Sequence, residues 1–186
     1  MPKHINIYLL IGFLLFLVGL FFWFTYIPAS YRDTTNSKKE GGASMDLLLI
    51  CRDASASSLL GNLMVAAESK KSGTEVGILF TEGALEAVCR GVFLWPIELQ
   101  GMELRLRIAD NGKAQGFPIM ARGEGRQIDV MGFLNQLKGE GIPMFACPGW
   151  LKLLGLQSKL PAGIQELDMN GAAKLMNETK RVIGSF

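Results

Sequence analysis

Histidine is almost missing from this sequence of 186 residues, since the single one is His4, near the N-terminus. The chain after position 44 therefore has no imidazole. This excludes Ser-His-Asp and Cys-His catalysis, HExxH zinc proteases and any metal site that needs histidine. Three cysteines without CxxC spacing also argue against a site built from thiolates alone. We expect neither a metal nor a cofactor.

Two further absences narrow the choice of function. No GxxxxGK[ST] motif occurs, and no GxGxxG follows the first predicted strand, so nothing predicts a phosphate-binding loop. Residues 45–186 carry equal numbers of basic and acidic side chains, so the charge does not indicate a nucleic-acid partner. An odd number of cysteines without framework spacing is typical of a reducing compartment.

Charged residues are also absent from the run Ile5 to Ile27. A helix of this length extends roughly 35 Å and can cross a hydrocarbon core of about 30 Å. Trp23 and Tyr26 lie near one end, where an aromatic belt is expected. A cleaved signal peptide is the alternative, but its apolar region is shorter and ends at a small-residue cleavage site. We therefore predict one transmembrane anchor over residues 1–27.

The polar stretch 28–44 lacks apolar periodicity and is predicted to be a linker to a domain over residues 45–186. Arg32, Lys38 and Lys39 follow the apolar run, whereas a single basic side chain precedes it. The positive-inside rule then places the domain on the cytoplasmic side of the inner membrane.

From residue 45 onward, short apolar strands alternate with helical patterns, which predicts a mostly parallel α/β sheet covered on both faces. The predicted strands are 45–51, 74–80, 142–147 and 163–168, the last of which is expected to be the final strand. A short helix is expected to end at Gly91. Three longer helices are predicted from apolar faces, formed by Leu59, Leu60, Leu63, Met64 and Ala67; by Val130, Met131, Leu134 and Leu137; and by Met169, Ala172, Met176 and Ile183.

The Gly-rich middle, residues 92–127, is less regular. Met102 to Ile108 alternates in polarity and is predicted to be a strand, and the remainder is predicted to be a long loop. The apolar stretch Val92 to Trp95 is typical of a surface that docks on lipid or on another subunit.

Cys147 is the first candidate for chemistry, because it ends a predicted strand and directly precedes Pro148. Proline suits the first position of a helix, so the cysteine sulfur would face free N–H groups and the positive end of a helix dipole. Such surroundings favour the thiolate. Lys152 could add positive charge. The alternative is that Cys147 simply fills the core.

The other thiols are weaker candidates. Cys51 ends the first strand and should open on the same rim of a parallel sheet as Cys147. Arg52 follows it and could steer an anion. Cys89 falls on a short helix. For both Cys51 and Cys89 a structural role in the core is favoured over a role as a secondary thiol.

Residues 45–186 resemble the DsrE/DsrF-like family of small sulfur-relay proteins, of the TusD type. The stretches that carry the resemblance are LLLICRDAS, KKSGTEVGILFTEGAL, FLNQLKGEGIPMFACPGWLKLLGL and LPAGIQELDMNGAAKLMNETKRVIGSF. The resemblance implies a flavodoxin-like fold, homo-oligomers that are commonly trimers or hexamers, and a cysteine that carries sulfur as a persulfide. Cys147 falls on the position of that cysteine. A membrane anchor is not typical of these proteins.

Three functions follow as hypotheses. The first is a membrane-anchored sulfur carrier or sulfurtransferase that exchanges sulfur at Cys147 with donor and acceptor proteins. The second is a non-catalytic oligomeric scaffold at the membrane. The third is a thiol redox sensor in which Cys51 or Cys89 resolves the oxidised thiol.

Overall fold

The computed structural model describes residues 45–122 and 125–184, so the predicted anchor and most of the linker lie outside the described residues. The strands of this part are β1 (Leu47–Cys51), β2 (Val76–Phe80), β3 (Ile119–Arg122), β4 (Gly125–Ile128), β5 (Met144–Ala146), β6 (Ile164–Glu166) and β7 (Arg181–Gly184). The helices are α1 (Ala56–Lys71), α2 (Glu82–Arg90), α3 (Met102–Ala114), α4 (Val130–Gly139), α5 (Pro148–Leu153) and α6 (Met169–Glu178).

The main sheet is parallel throughout, with the order β6-β5-β2-β1-β7. Its inner strands are runs of apolar side chains buried on both faces, as expected for parallel strands under helices. Glycines in the left-handed conformation at positions 73 and 141 follow the helices that lead into β2 and β5. The predicted parallel α/β architecture is therefore confirmed.

The two faces of the sheet carry cores of very different size. On one face, alternate residues of the strands pack with α1, α2 and α4 into a large cluster that includes Phe80 and Phe133. On the other face, Leu48, Leu79 and Phe145 form a small cluster, against which Leu175 of α6 packs. The asymmetry follows from the topology. Because β7 lies on the opposite side of β1 from β2, a right-handed crossover puts α6 on the opposite face.

The class is flavodoxin-like, a parallel sheet with helices on both faces, but the strand order differs in detail. Counted in chain order, the five strands are arranged 4-3-2-1-5, whereas the flavodoxin order is 2-1-3-4-5. The chain thus moves steadily to one side of β1 before its last strand returns to the other side.

The prediction for the Gly-rich middle was wrong. Met102 to Ile108 belongs to α3, and β3 and β4 pair as an antiparallel hairpin. The alternating Leu and Arg residues suited a strand equally well. The helix buries the small residues Ala109 and Gly112 against the hairpin, and therefore shows no large apolar stripe.

The C-terminal prediction was partly wrong. Residues 163–168 do contain β6, but this is not the final strand, because β7 follows and pairs with β1. The last helix ends at Glu178, since Thr179 is extended and the N–H groups of Lys180 and Arg181 donate to carbonyls at the start of β1. Ile183 is therefore a strand residue.

Three methionines that we assigned to buried helix faces are exposed instead: Met64, Met169 and Met176. Unbranched Met tolerates the margin of a core, so its helical spacing is a weak signal of burial. No helix among residues 45–122 and 125–184 combines the length and the apolarity needed to span a bilayer.

Candidate functional site

The carboxyl ends of four neighbouring strands form one row. In the registers of the sheet, Cys51 lies beside Phe80, Phe80 beside Ala146, and Ala146 beside Glu166. Ligands of open parallel sheets bind at such an edge. The structure therefore brings Cys51 and the residue after Ala146, Cys147, to the same edge.

Cys147 lies between the end of β5 and the start of α5. It is the N-cap residue of that helix, in an extended conformation, and Pro148 occupies the first helical position. The Cys147 N–H donates to the Phe80 carbonyl at 2.9 Å, and its own carbonyl accepts from Leu151 N–H at 2.9 Å. The strand–cysteine–proline–helix arrangement thus has the local geometry that the sequence predicts.

The Cys147 side chain is half-buried. It packs against the small cluster of Leu48, Leu79 and Phe145 and makes no capping hydrogen bond. As the N-cap residue, Cys147 directly precedes the first turn of α5, where N–H groups lack partners inside the helix. Partial exposure at the start of a helix is compatible with a reactive thiol.

The Cys51 thiol has the opposite surroundings. Its side chain is buried in the large core, and burial, with a smaller contribution from Asp53, raises its pKa to about 12. Cys89 in α2 is partly buried, and burial raises its pKa as well. Neither thiol therefore ionises readily at neutral pH, and both fit the structural role that the sequence favours.

The cysteines are not arranged to form a disulfide with Cys147 inside one chain. Cys51 and Cys89 pack on the large core, whereas Cys147 packs on the opposite face of the sheet. Cys51 and Cys147 are also separated by the width of β2, since β1 and β5 are its two neighbours. Two strand spacings amount to roughly 10 Å, whereas a disulfide requires Cα atoms within about 7 Å.

Arg52 is engaged at the same edge. Its Nε donates to Glu82 Oε1 at 3.0 Å and its Nη2 to Glu82 Oε2 at 3.3 Å. The hydrogen bonds to Glu82 raise the pKa of Arg52 above its ordinary value. An anion steered by Arg52 would have to compete with this carboxylate.

Lys152 is exposed in the last turn of α5, at the far end of the helix from Cys147. In that position it complements the negative end of the helix dipole. Its spacing of five residues from Cys147 does not bring the two side chains onto one helix face, which requires a spacing of three or four. The structure therefore offers Lys152 less contact with the thiol than its sequence position suggested.

Glu82 is a residue that sequence reasoning missed. It is the one non-glycine residue in the described part of the chain with a positive φ, 50°. The next residue, Gly83, lies so close to the preceding loop that an added Cβ would be 3.3 Å from the Ala54 nitrogen. A glycine three residues after the end of β2 was the only sequence signal for this tight approach.

Outside this edge, a cavity of about 260 Å³ lies between residues 91–95, the hairpin and the start of α4. Its lining is mixed and includes Phe93, Trp95 and Met131 beside the polar residues Gln127 and Asp129. The neighbouring side chains of Val92 and Leu94 are exposed. In residues 45–122 and 125–184, no group of three His, Cys, Asp or Glu side chains could hold a metal ion.

Comparisons with known proteins leave the function to be argued from these residues. No family model matches the chain, and no curated protein matches it. Among solved structures, the chain is similar to the ychN protein from E. coli, with 16% sequence identity and a TM-score of 0.47. The similarity covers 75% of this chain and 99% of the ychN chain.

Proposed function

We propose that this protein is a sulfur carrier that holds sulfur as a persulfide on Cys147. The observation that carries the proposal is the contrast among the three thiols. Cys147 is partly exposed and lies at the carboxyl edge beside the start of a helix, whereas Cys51 is buried and Cys89 lies on α2 away from this edge; burial raises the pKa of both Cys51 and Cys89. The resemblance of residues 45–186 to sulfur-relay proteins also supports Cys147 as the cysteine that carries the sulfur.

The chemistry is thiol exchange and needs no general base. The Cys147 thiolate attacks the outer sulfur of a donor persulfide, R–S–SH. A bond forms between the Cys147 sulfur and that outer sulfur, the S–S bond of the donor breaks, and R–S⁻ leaves. The outer sulfur keeps its proton, so the products are the Cys147 persulfide and the donor thiolate. An acceptor thiolate reverses the steps, which suits a domain without histidine.

The partners belong to the same proposal. Donor and acceptor would be proteins with reactive thiols, residues 1–27 would hold the domain at the cytoplasmic face of the inner membrane, and the domain would assemble as a homo-oligomer. The exposed apolar side chains of Val92, Leu94, Ile97 and Met102 support assembly, because such a cluster is unfavourable on a monomer in water.

Those four side chains also support the alternative, a scaffold that has no sulfur chemistry and binds other proteins through this segment. The state of Cys147 separates the two functions. A carrier requires a reactive thiol, whereas a scaffold tolerates its replacement.

The test is intact-mass analysis after incubation with glutathione persulfide. The wild type should gain roughly 32 Da, the mass of one sulfur atom, through exchange at the thiolate. Cys147→Ser, a nearly isosteric change, should lose the gain, and the matched variant Cys89→Ser should keep it. In the native protein, iodoacetamide should also modify Cys147 before Cys89 and Cys51. Sulfur uptake by Cys147→Ser would refute the carrier and leave the scaffold.

A further inference from the structure

The loops that follow β1 and β2 are joined to Cys147 by one row of hydrogen bonds. Thr81 N–H donates to the Cys51 carbonyl at 3.0 Å, and Cys147 N–H donates to the Phe80 carbonyl at 2.9 Å. Ala84 N–H donates to the Arg52 carbonyl at 2.8 Å. The turn that carries Glu82 is therefore fixed beside Cys147 on one side and beside the Arg52 backbone on the other.

Glu82 places a carboxylate on the turn that follows the hydrogen-bond partner of the Cys147 backbone. Its backbone lies two residues beyond Phe80, the hydrogen-bond partner of Cys147, so the two backbones are separated by roughly 10 Å or less. The left-handed conformation of Glu82 and the close approach of Gly83 to Ala54 leave this turn little freedom. A carboxylate disfavours a thiolate near it, because the two carry like charges.

Arg52 is placed to cancel that charge. The ion pair uses two nitrogens and both carboxylate oxygens, a two-point geometry that fixes the orientation of both side chains. The exposed fractions of the side chains are 58% for Arg52 and 34% for Glu82. Because the pair is exposed to solvent, it adds little to the free energy of folding. Its main consequence is therefore its effect on the charge of a nearby thiol.

We infer that Arg52 is a positioning residue for Cys147, which neutralises Glu82 and so keeps the thiolate available. The inference rests on the proposed function, because it concerns the reactivity of the same thiol. Further charged groups lie on the elements that meet at this edge of the sheet: Asp53 after β1, Lys152 in α5, Glu166 at the end of β6 and Asp168 after it. Asp168 already accepts a hydrogen bond from the Gly171 N–H in α6.

The experiment compares the rate at which iodoacetamide alkylates Cys147 in the full-length chain in mild detergent at pH 7. Arg52→Gln leaves Glu82 without its partner, so the rate should fall roughly two- to five-fold at low ionic strength. The pH profile of the rate should shift to higher pH, and 0.5 M salt should reduce the difference, because salt screens charges at this separation. Arg52→Lys keeps the charge and should keep the rate.

Glu82→Gln distinguishes an electrostatic role from a mechanical one. Removal of the carboxylate should not slow alkylation, and the double variant Arg52→Gln/Glu82→Gln should return to the wild-type rate. Arg90→Gln is the matched control, because it breaks the similarly exposed Arg90–Glu86 pair on α2 and should leave the rate unchanged. The inference is overturned if Arg52→Gln has no effect, if Glu82→Gln slows the reaction as much, or if Arg90→Gln does.

Sulfur uptake is measured on the same variants, so that the two proposals can fail separately. If the wild type takes up sulfur and Arg52→Gln is alkylated at the wild-type rate, the role of Arg52 is overturned and the carrier function stands. A wild type that takes up no sulfur would refute the carrier, while the alkylation rates would still report on Arg52.

Discussion

Cys51 and Cys147 both end apolar strands, yet different structures cover their sulfur atoms. Side chains along a strand point alternately to the two faces of a sheet. Cys51 and Ala146 lie in one row across the sheet, and both face the large core. Cys147 is one residue beyond that row and therefore lies on the thinly covered face. A shift of one residue thus separates a structural thiol from a candidate nucleophile.

The buried thiol of Cys51 should make stability depend on pH in the alkaline range. Its pKa is raised from 9.0 to about 12, so above pH 9 the unfolded chain loses a proton that the folded chain retains. Stability from this group is complete below pH 9 and declines as the pH rises towards 12. Between pH 8 and 10 the loss is about 1.4 kcal/mol. Urea titrations followed by circular dichroism should show this extra decline in the wild type and not in Cys51→Ala.

Equal pH slopes for the wild type and Cys51→Ala would contradict the prediction. Cys89→Ala is the control, because Cys89 is less buried. Its removal should change the slope less than the removal of Cys51.

The sequence predicted the positions of the candidate site better than its electrostatics. The two thiols at one edge follow from the strand pattern alone, and so does proline at the start of α5. The pairing of Arg52 with Glu82 could not be predicted, since it joins loops 30 residues apart. It depends on the positive φ of Glu82, a conformation that the residue type does not favour.

At the scale of elements, α3 shows how tertiary contacts override a local signal. The alternation of Leu and Arg from Met102 to Ile108 favoured a strand. Gly112 is a glycine within a helix, and the tight contact with the hairpin explains why: an added Cβ there would be 2.9 Å from Ile128 Cδ1. The glycine permits close packing against the hairpin, which single-sequence patterns do not reveal.

Two glycine substitutions in helices should therefore have opposite effects on stability. Gly61 in α1 has no atom within 4 Å of an added Cβ, so Gly61→Ala should stabilise the fold by about 0.5–1 kcal/mol through helix propensity. Gly112→Ala should destabilise it by about 1 kcal/mol or more, because an added Cβ would lie 2.9 Å from Ile128 Cδ1 and 3.3 Å from Phe117 Cδ2, so that these side chains must shift. Denaturant titrations of the two variants measure the difference. A stabilised Gly112→Ala would show that the contact between helix and hairpin is loose.

At the scale of the molecule, assembly should depend on the exposed segment before α3. Ile97 is 78% exposed there, and Leu153 on α5 is 77% exposed, which makes them a matched pair. Ile97→Asp should dissociate the proposed oligomer because it places a charge in the expected apolar contact, and Leu153→Asp should not. Sedimentation velocity measures both. Dissociation by Leu153→Asp alone would move the interface to α5.

The apolar run Ile5–Ile27 should keep the protein in the membrane fraction. It has no charge and is long enough to cross a bilayer, so a carbonate wash should not release the full-length chain. A chain that lacks residues 1–44 should be released, because its predicted anchor is gone. Release of the full-length chain by salt alone, or a mature N-terminus near Ala29, would contradict the anchor.

The pairing of β1 with β7 has a consequence for how the protein is made. The ion pair between Asp46 and Lys180 joins residues 134 positions apart in sequence. During translation β1 emerges early, but β7, its neighbour on the other side from β2, is synthesised only after nearly all of the described chain. Until then one edge of β1 is open to wrong partners. Nascent chains stalled before residue 181 should therefore depend on chaperones, and this dependence should end once β7 has cleared the exit tunnel.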